Sequence, residues 1–225
     1  DRPVDAKEKG GGSLMKLNLL EYKDHKAYLV GFAVLVTFIF VLVLSFVNEL
    51  TKEQVKKNQE LFLIRAVLES MQIPYQNDQE ALTIYRGRIG VKEVRGKRIF
   101  FTNPPEDKKY AILFSGNGLW SIIQGIIGVD SQFERLTGIA FVEQNETPGL
   151  GGRIEEPWFK GQFQGEKLVN GTVAFRTGQA DPGDRDKDNG SVDAITGATS
   201  TSKSLETILK KALKDLEERV KEGGL

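Results

Sequence analysis

The sequence predicts an α+β protein with one N-terminal transmembrane helix, on three observations. Ala27 to Val47 contains no charged residue, and a helix of that length spans roughly 30 Å, the thickness of a hydrocarbon core. Between Val91 and Val142, short β-branched and aromatic runs alternate with Gly and Pro turns, the pattern of paired strands. Helix-periodic segments flank this region on both sides, and strands in the middle with helices at the ends argue α+β.

Taken in order, residues 1–26 read as a polar tail. Gly10, Gly11, Gly12 and Ser13 suggest a flexible tag junction, with Met15 as the native start. Residues 27–47 form the membrane helix. The run is too long for a cleaved leader, and Leu44, Phe46 and Leu50 stand where a cleavage site needs small residues. Lys16, Lys23 and Lys26 on one side are matched by Lys52, Lys56 and Lys57 on the other, so charge alone leaves the orientation open. Residues 48–80 read as a stalk and amphipathic helix, with Leu61, Ile64, Leu68 and Met71 at helical spacing, ended by Pro74 and followed by a loop to Glu80.

Residues 81–225 form the remaining domain. Val91–Thr102 is a hairpin about Arg95, Gly96 and Lys97; Tyr110–Ser115, Ser121–Val129 and Leu136–Val142 are strands. Asn170-Gly171 signals a type I′ hairpin between 167–169 and 172–176. A last helix from about Ser202 to Glu222 carries Leu205, Leu209, Leu213 and Leu216 on one stripe.

Composition removes whole classes of chemistry. The chain of 225 residues has no Cys and a single His, His25, so thiolate metal sites, iron–sulfur clusters, catalytic Cys and His-based triads lack their groups. Lys+Arg and Asp+Glu both count 31, giving a formal net charge of zero and no footprint for nucleic acid. Asp184, Asp186 and Asp188 alternate as in a calcium loop, but Asn189 and Ile195 occupy the positions that need Gly and Glu. The run is therefore read as a solvated loop, and no metal is expected.

The chemistry-bearing stretch is Asp193-Ala-Ile-Thr196-Gly197-Ala198-Thr199-Ser200-Thr201-Ser202. Hydroxyls before a helix can serve as simple caps. That does not account for Gly197 and Ala198, which are too small to shield Thr199 and leave it presented at the positive end of a helix, where phosphate binds readily. Two further stretches precede it. Gly116-Asn-Gly-Leu119-Trp120-Ser121 permits a sharp turn ahead of a strand, with Trp120 either core or a stacking surface. Asn145-Glu146-Thr147-Pro148-Gly149-Leu150-Gly151 is either a plain turn or a loop whose freed amides and one carboxylate approach a planar ring.

These three stretches, in this order, resemble the FMN-binding subunits of the Rnf and Na⁺-translocating NADH:quinone oxidoreductase complexes. Asp193, Thr196, Gly197, Ala198 and Thr199 match the family signature Asp-x-x-(Ser/Thr)-Gly-Ala-Thr, whose last Thr carries FMN as a phosphodiester installed by a flavin transferase. The resemblance implies one covalent FMN per chain on Thr199. Asp193, Thr196, Gly197, Ala198, Ser200 and Thr201 would lie around the ester, and Glu146, Thr147, Gly149, Leu150, Leu119 and Trp120 around the ring. From the composition of its loop, Glu146 is expected either at the flavin edge, tuning its potential, or in service of the backbone of its own turn.

The resemblance further implies a redox subunit of an ion-translocating complex. It would sit in the inner membrane beside other subunits, with the flavin domain on the extracytoplasmic side. The span between the anchor and Gly118 looks short for the quinone-reductase C-type subunit, so the expectation leans to the Rnf G-type subunit, although Gly118-Leu119-Trp120-Ser121 is closer to the C type. A membrane-anchored flavin sensor or assembly protein and a flavin-free anchor are the other readings.

Overall fold

The computed structural model describes residues 26–105, 107–178 and 183–225. The expected tail lies outside them except for Lys26. The chain forms two compact units, divided between Val55 and Lys56.

The first unit, in its described part, is helical. It is the opening stretch of α1 (Lys26–Ser70), a helix long and apolar enough to cross a membrane, with a mean hydropathy of 2.9 in its most apolar window. Leu29, Phe32, Leu35, Phe38, Val41 and Leu44 are all more than half exposed. They point to several sides of the helix, and a helix apolar on all sides needs a nonaqueous environment.

The second unit is a five-stranded antiparallel meander, β1 (Ile89–Val94), β2 (Lys97–Thr102), β3 (Lys109–Asn117), β4 (Ile122–Asp130) and β5 (Leu136–Glu143), in the spatial order 1-2-3-4-5. Helices cover both faces. On one, Ala66, Val67 and Leu68 from the end of α1, Met71 just after it and Ala81 from α2 (Asp78–Arg88) pack on Phe100, Ala111, Ile126 and Ala140. On the other, α4 (Thr199–Gly223) lays Leu205, Leu209, Leu213 and Leu216 against Ile112, Phe114, Ile123 and Ile127. Phe159 of α3 (Pro157–Gly161) and Phe163 extend that core. Burial on both faces explains why β4 reads as a continuous apolar run instead of alternating.

Glycine permits close approach at two places. Gly128 and Gly138 face each other across β4 and β5, and a Cβ on Gly128 would meet the Ser70 carbonyl at 2.4 Å. The end of α1 can therefore press onto the sheet, where the Thr137 hydroxyl donates to the same carbonyl. Gly116 does the same for α4, since its Cβ would stand 2.4 Å from Ile208.

The β1–β2 hairpin turns at Arg95 (φ 50°) and Gly96 (φ 74°), the two positive φ values of a type I′ turn. Three expectations are corrected. Asp78 to Glu80 are helical, opening α2: the Asn77 side chain accepts from the Glu80 amide, and Arg86 and Arg88 close its last turn. Asn170-Gly171 does form a tight turn, with φ 55° and 71°, but only Val169 and Thr172 pair across it. Lys167 bridges Arg135, while β6 (Ala174–Arg176) pairs in parallel with β7 (Ser191–Asp193). Leu168 and Val173 are buried in the main core, and that burial outweighs extending a solvent-facing ribbon. Finally, α4 starts at Thr199, a turn earlier than expected.

Candidate cofactor site

β7 delivers the chain into the loop Ala194–Ala198, fastened by the Ala194 amide to the Arg176 carbonyl at 2.8 Å and by the Ala198 amide to the Ile195 carbonyl at 3.0 Å. Gly197 has φ 81°, a conformation that disfavours side chains. The helix then begins with Ala198 as N-cap, without a side-chain cap and without an acidic residue in the first turn. The amides of Thr199, Ser200 and Thr201 stand in the turn where a helix supplies no backbone acceptor, and no acidic residue of the helix's own first turn faces the positive end of the dipole.

The hydroxyls of this stretch divide into two sets. Thr196, Thr199 and Ser200 are exposed, whereas Thr201 and Ser202 are each 1% exposed. Thr201 donates to Glu146 Oε2 at 2.7 Å, and Ser202 Oγ accepts from the Ile195 amide at 3.2 Å. A cleft of about 210 Å³ opens in front of Thr199, lined also by Thr177, Gly178, Ala194, Ile195, Thr196 and Gly197. Thr177 and Gly178 escaped the sequence reading. They reach the cleft through the parallel β6–β7 pairing, which leaves no short-range signal in the sequence.

The other two motifs converge on the same place through Glu146. Its Oε1 accepts from the amides of Trp120 (2.9 Å) and Ser121 (3.3 Å) in the turn that Gly118 closes with its amide to the Ser121 carbonyl. Burial pushes this carboxyl upward, but those amides and the Thr201 hydroxyl outweigh it and hold the pKa below the ordinary value. Glu146 is 4% exposed with both oxygens engaged. Its bonds reach beyond its own turn, to the Trp120 and Ser121 amides and to the Thr201 hydroxyl at the start of α4.

Around it the surface is apolar and open. Trp120 is 73% exposed, so it is no core residue; Leu119 of the same turn, Ile122 at the start of β4 and Leu150 of the Glu146 loop are also exposed. Thr147 and Gly149 (φ 73°) are exposed too, the Thr147 carbonyl accepting from the amides of Leu150 and Gly152. Leu150 comes within 3.2 Å of where a Cβ on Gly197 would stand, which joins this loop to the threonine loop.

Asp193 does not face the cleft. It is buried, accepts from Arg176 at 3.0 Å, and its amide donates to Gln162 Oε1 at 2.7 Å. Arg176 also pairs with Asp184 at 2.7 Å, and Asp184 is further engaged by Asn189 and the Asp186 amide. Asp184 is thus a largely buried anchor of this junction rather than part of a solvated loop; Asp186 and Asp188 are exposed.

Residues 118–214 match the FMN-binding domain. That stretch contains the Trp120 turn, the Glu146 loop and the Thr199 helix start. Among curated relatives, the C-type subunit of a Na(+)-translocating NADH-quinone reductase from Neisseria meningitidis serogroup A is 41% identical over 93 residues, 40% of this chain and 35% of that protein. The C-type subunit from Vibrio anguillarum is 34% identical over 129 residues, 53% of this chain and 49% of that one. The chain thus matches between a third and a half of the length of these relatives. Among solved structures, the C-type subunit from Parabacteroides distasonis aligns with a TM-score of 0.57 and 27% identity, over 72% of this chain and 92% of that chain. The Shewanella oneidensis NqrC aligns at 0.60 over 72% and 99%, with 19% identity, a likeness of fold. These relatives bear the name of the C-type subunit, not of the Rnf G-type subunit towards which the motif spacing leaned.

Proposed function

We propose that the chain is a membrane-anchored electron-transfer subunit that carries FMN as a phosphodiester on Thr199, in the role of the C-type subunit of a Na⁺-translocating NADH:quinone oxidoreductase. The observation that carries this reading is the division of hydroxyls at the start of α4: Thr199 is exposed, lines the cleft and stands in an uncapped first turn.

The residues present fit the cofactor. A phosphodiester keeps one negative charge, and the amides of Thr199, Ser200 and Thr201 with the helix dipole suit it without a neighbouring Lys or Arg. The cleft is smaller than the roughly 300–1,000 Å³ usual for a whole ligand. It suits the phosphate end, leaving the ring to the open apolar surface of Leu119, Trp120 and Leu150. Bound FMN supplies the redox chemistry. The chain's own part is to tether it, to neutralise its phosphate and to shield one side from water. The Thr199 oxygen forms its bond to phosphorus as the pyrophosphate bond of a flavin dinucleotide donor breaks. A nucleoside monophosphate leaves, and the hydroxyl proton passes to a base on the flavin transferase.

The uncharged stretch of α1 would anchor the protein in the inner membrane, with the flavin domain on the extracytoplasmic side and the other subunits as lateral partners. The short stretch between α1 and Gly118, filled by α2 and three strands, is the observation that favours an Rnf G-type subunit instead. The subunits that co-purify with the protein separate the two. The tether itself is tested by Thr199→Ala, which should abolish in-gel flavin fluorescence after denaturation while the circular dichroism spectrum is unchanged. Fluorescence that persists in the variant would contradict the assignment.

A further inference from the structure

We infer that Glu146 is the positioning residue that selects which hydroxyl of the threonine run receives the flavin, an inference that rests on the function proposed above. The run presents two chemically equal candidates, Thr199-Ser200 and Thr201-Ser202. Two positions along a helix rotate a side chain by roughly 200°, so the two Thr face opposite ways and the seating of the first turn decides which one is outward. In the structure that seating is fixed from below. Glu146 Oε2 takes the Thr201 hydroxyl at 2.7 Å, and Oε1 takes the Trp120 and Ser121 amides. One buried carboxylate thereby joins the first turn of α4 to both loops.

Two glycines leave room for it. A Cβ on Gly118 would stand 2.5 Å from Glu146 Oε1, and one on Gly151 would stand 2.6 Å from Thr201 Oγ1 and 2.9 Å from Glu146 Cβ. Leu119, Trp120 and Leu150 flank these same contacts, so the residue that turns Thr201 inward also places the apolar loops beside Thr199. Of the two hydroxyls left outward in the turn, Thr199 lines the cleft and Ser200 does not. Transfer joins the outward threonine oxygen to phosphorus, breaks the pyrophosphate of a flavin dinucleotide, releases a nucleoside monophosphate and passes the hydroxyl proton to the transferase. Glu146 takes no part in those bonds.

The test labels full-length wild type, Glu146→Ala, Glu146→Gln and Thr201→Val with the flavin transferase and a flavin dinucleotide, mapping the modified residue by peptide mass spectrometry. Hydrogen exchange is followed in unlabelled protein. Glu146→Ala should lower the labelling rate at Thr199 by about tenfold, as expected for losing a charge-assisted contact, and should let label appear on Thr201. Gln keeps an acceptor for the two amides and a partner for Thr201, and should stay near the wild-type rate. Thr201→Val, which cannot be labelled at 201 and disturbs the fold least, should slow labelling at Thr199 while the Trp120 and Ser121 amides stay protected. Those amides should exchange faster in Glu146→Ala than in wild type. Folded Glu146→Ala labelled on Thr199 alone at the wild-type rate would overturn the inference, as would equal amide exchange in the two proteins. If wild type takes no label on Thr199 but the exchange difference holds, the proposed function fails and the clasp stands.

Discussion

Glu146 and Glu166 are both buried acids, and their surroundings set them to titrate in opposite senses. The carboxyl of Glu146 is held below its ordinary value near 4.5, because its hydrogen-bond donors outweigh burial. Its contribution to stability is therefore full above that value and is lost as pH falls through the lowered folded pKa. For Glu166, burial dominates over the amides of Gly190 and Ser191, its Oε2 has no partner among the described residues, and its pKa is raised from 4.5. Its folded state is unpenalised below the ordinary value and loses stability as pH rises through the raised one. Melting temperature against pH should show Glu146→Ala destabilised by about 1.5–3 kcal/mol at neutral pH, with the deficit shrinking in acid. Glu166→Gln should gain on wild type at neutral pH and not in acid. A Glu166→Gln gain of equal size at both ends would contradict the raised pKa. The sequence marked Glu146 as special because it sits in a Pro-Gly loop. It could not tell an edge contact from a clasp, since the partners Trp120, Ser121 and Thr201 are 25 to 55 positions away. Glu166 carried no sequence signal at all.

At the level of elements, what was legible is what local chemistry decides. The β1–β2 hairpin follows from Gly96 after Arg95, and the α4 stripe from its leucines. The α2 helix was readable and missed: Asn77, Glu80 and the basic last turn are helix-end signals, but Pro74 drew the segment into a loop. The parallel β6–β7 pair was not readable, because it joins three-residue strands across a connection whose register is set by the core and not by a turn. The glycine contact between β4 and the end of α1 offers a direct check. Gly128→Ala should place a methyl against the Ser70 carbonyl and the Thr137 hydroxyl and cost about 1–3 kcal/mol in chemical denaturation. Gly161→Ala, with open space around its Cβ, should cost less. Equal costs at the two sites would mean that the end of α1 is not seated on the sheet.

For the molecule as a whole, an apolar helical unit is followed by a unit that begins at Lys56, contains a complete two-sided core and holds every residue of the proposed flavin site. A chain beginning at Lys56 should be soluble without detergent, melt cooperatively and accept flavin from the transferase. A folded truncation that never takes flavin would show that the anchor contributes to the site. Every part of the proposed role depends on one bond at the start of α4. The intact mass of the membrane-purified protein, followed by peptide mapping, tests that bond most directly. The expected result is a gain of one FMN less water per chain, located on Thr199, and a mass equal to that of the bare sequence, or a flavin on any other residue, would contradict it.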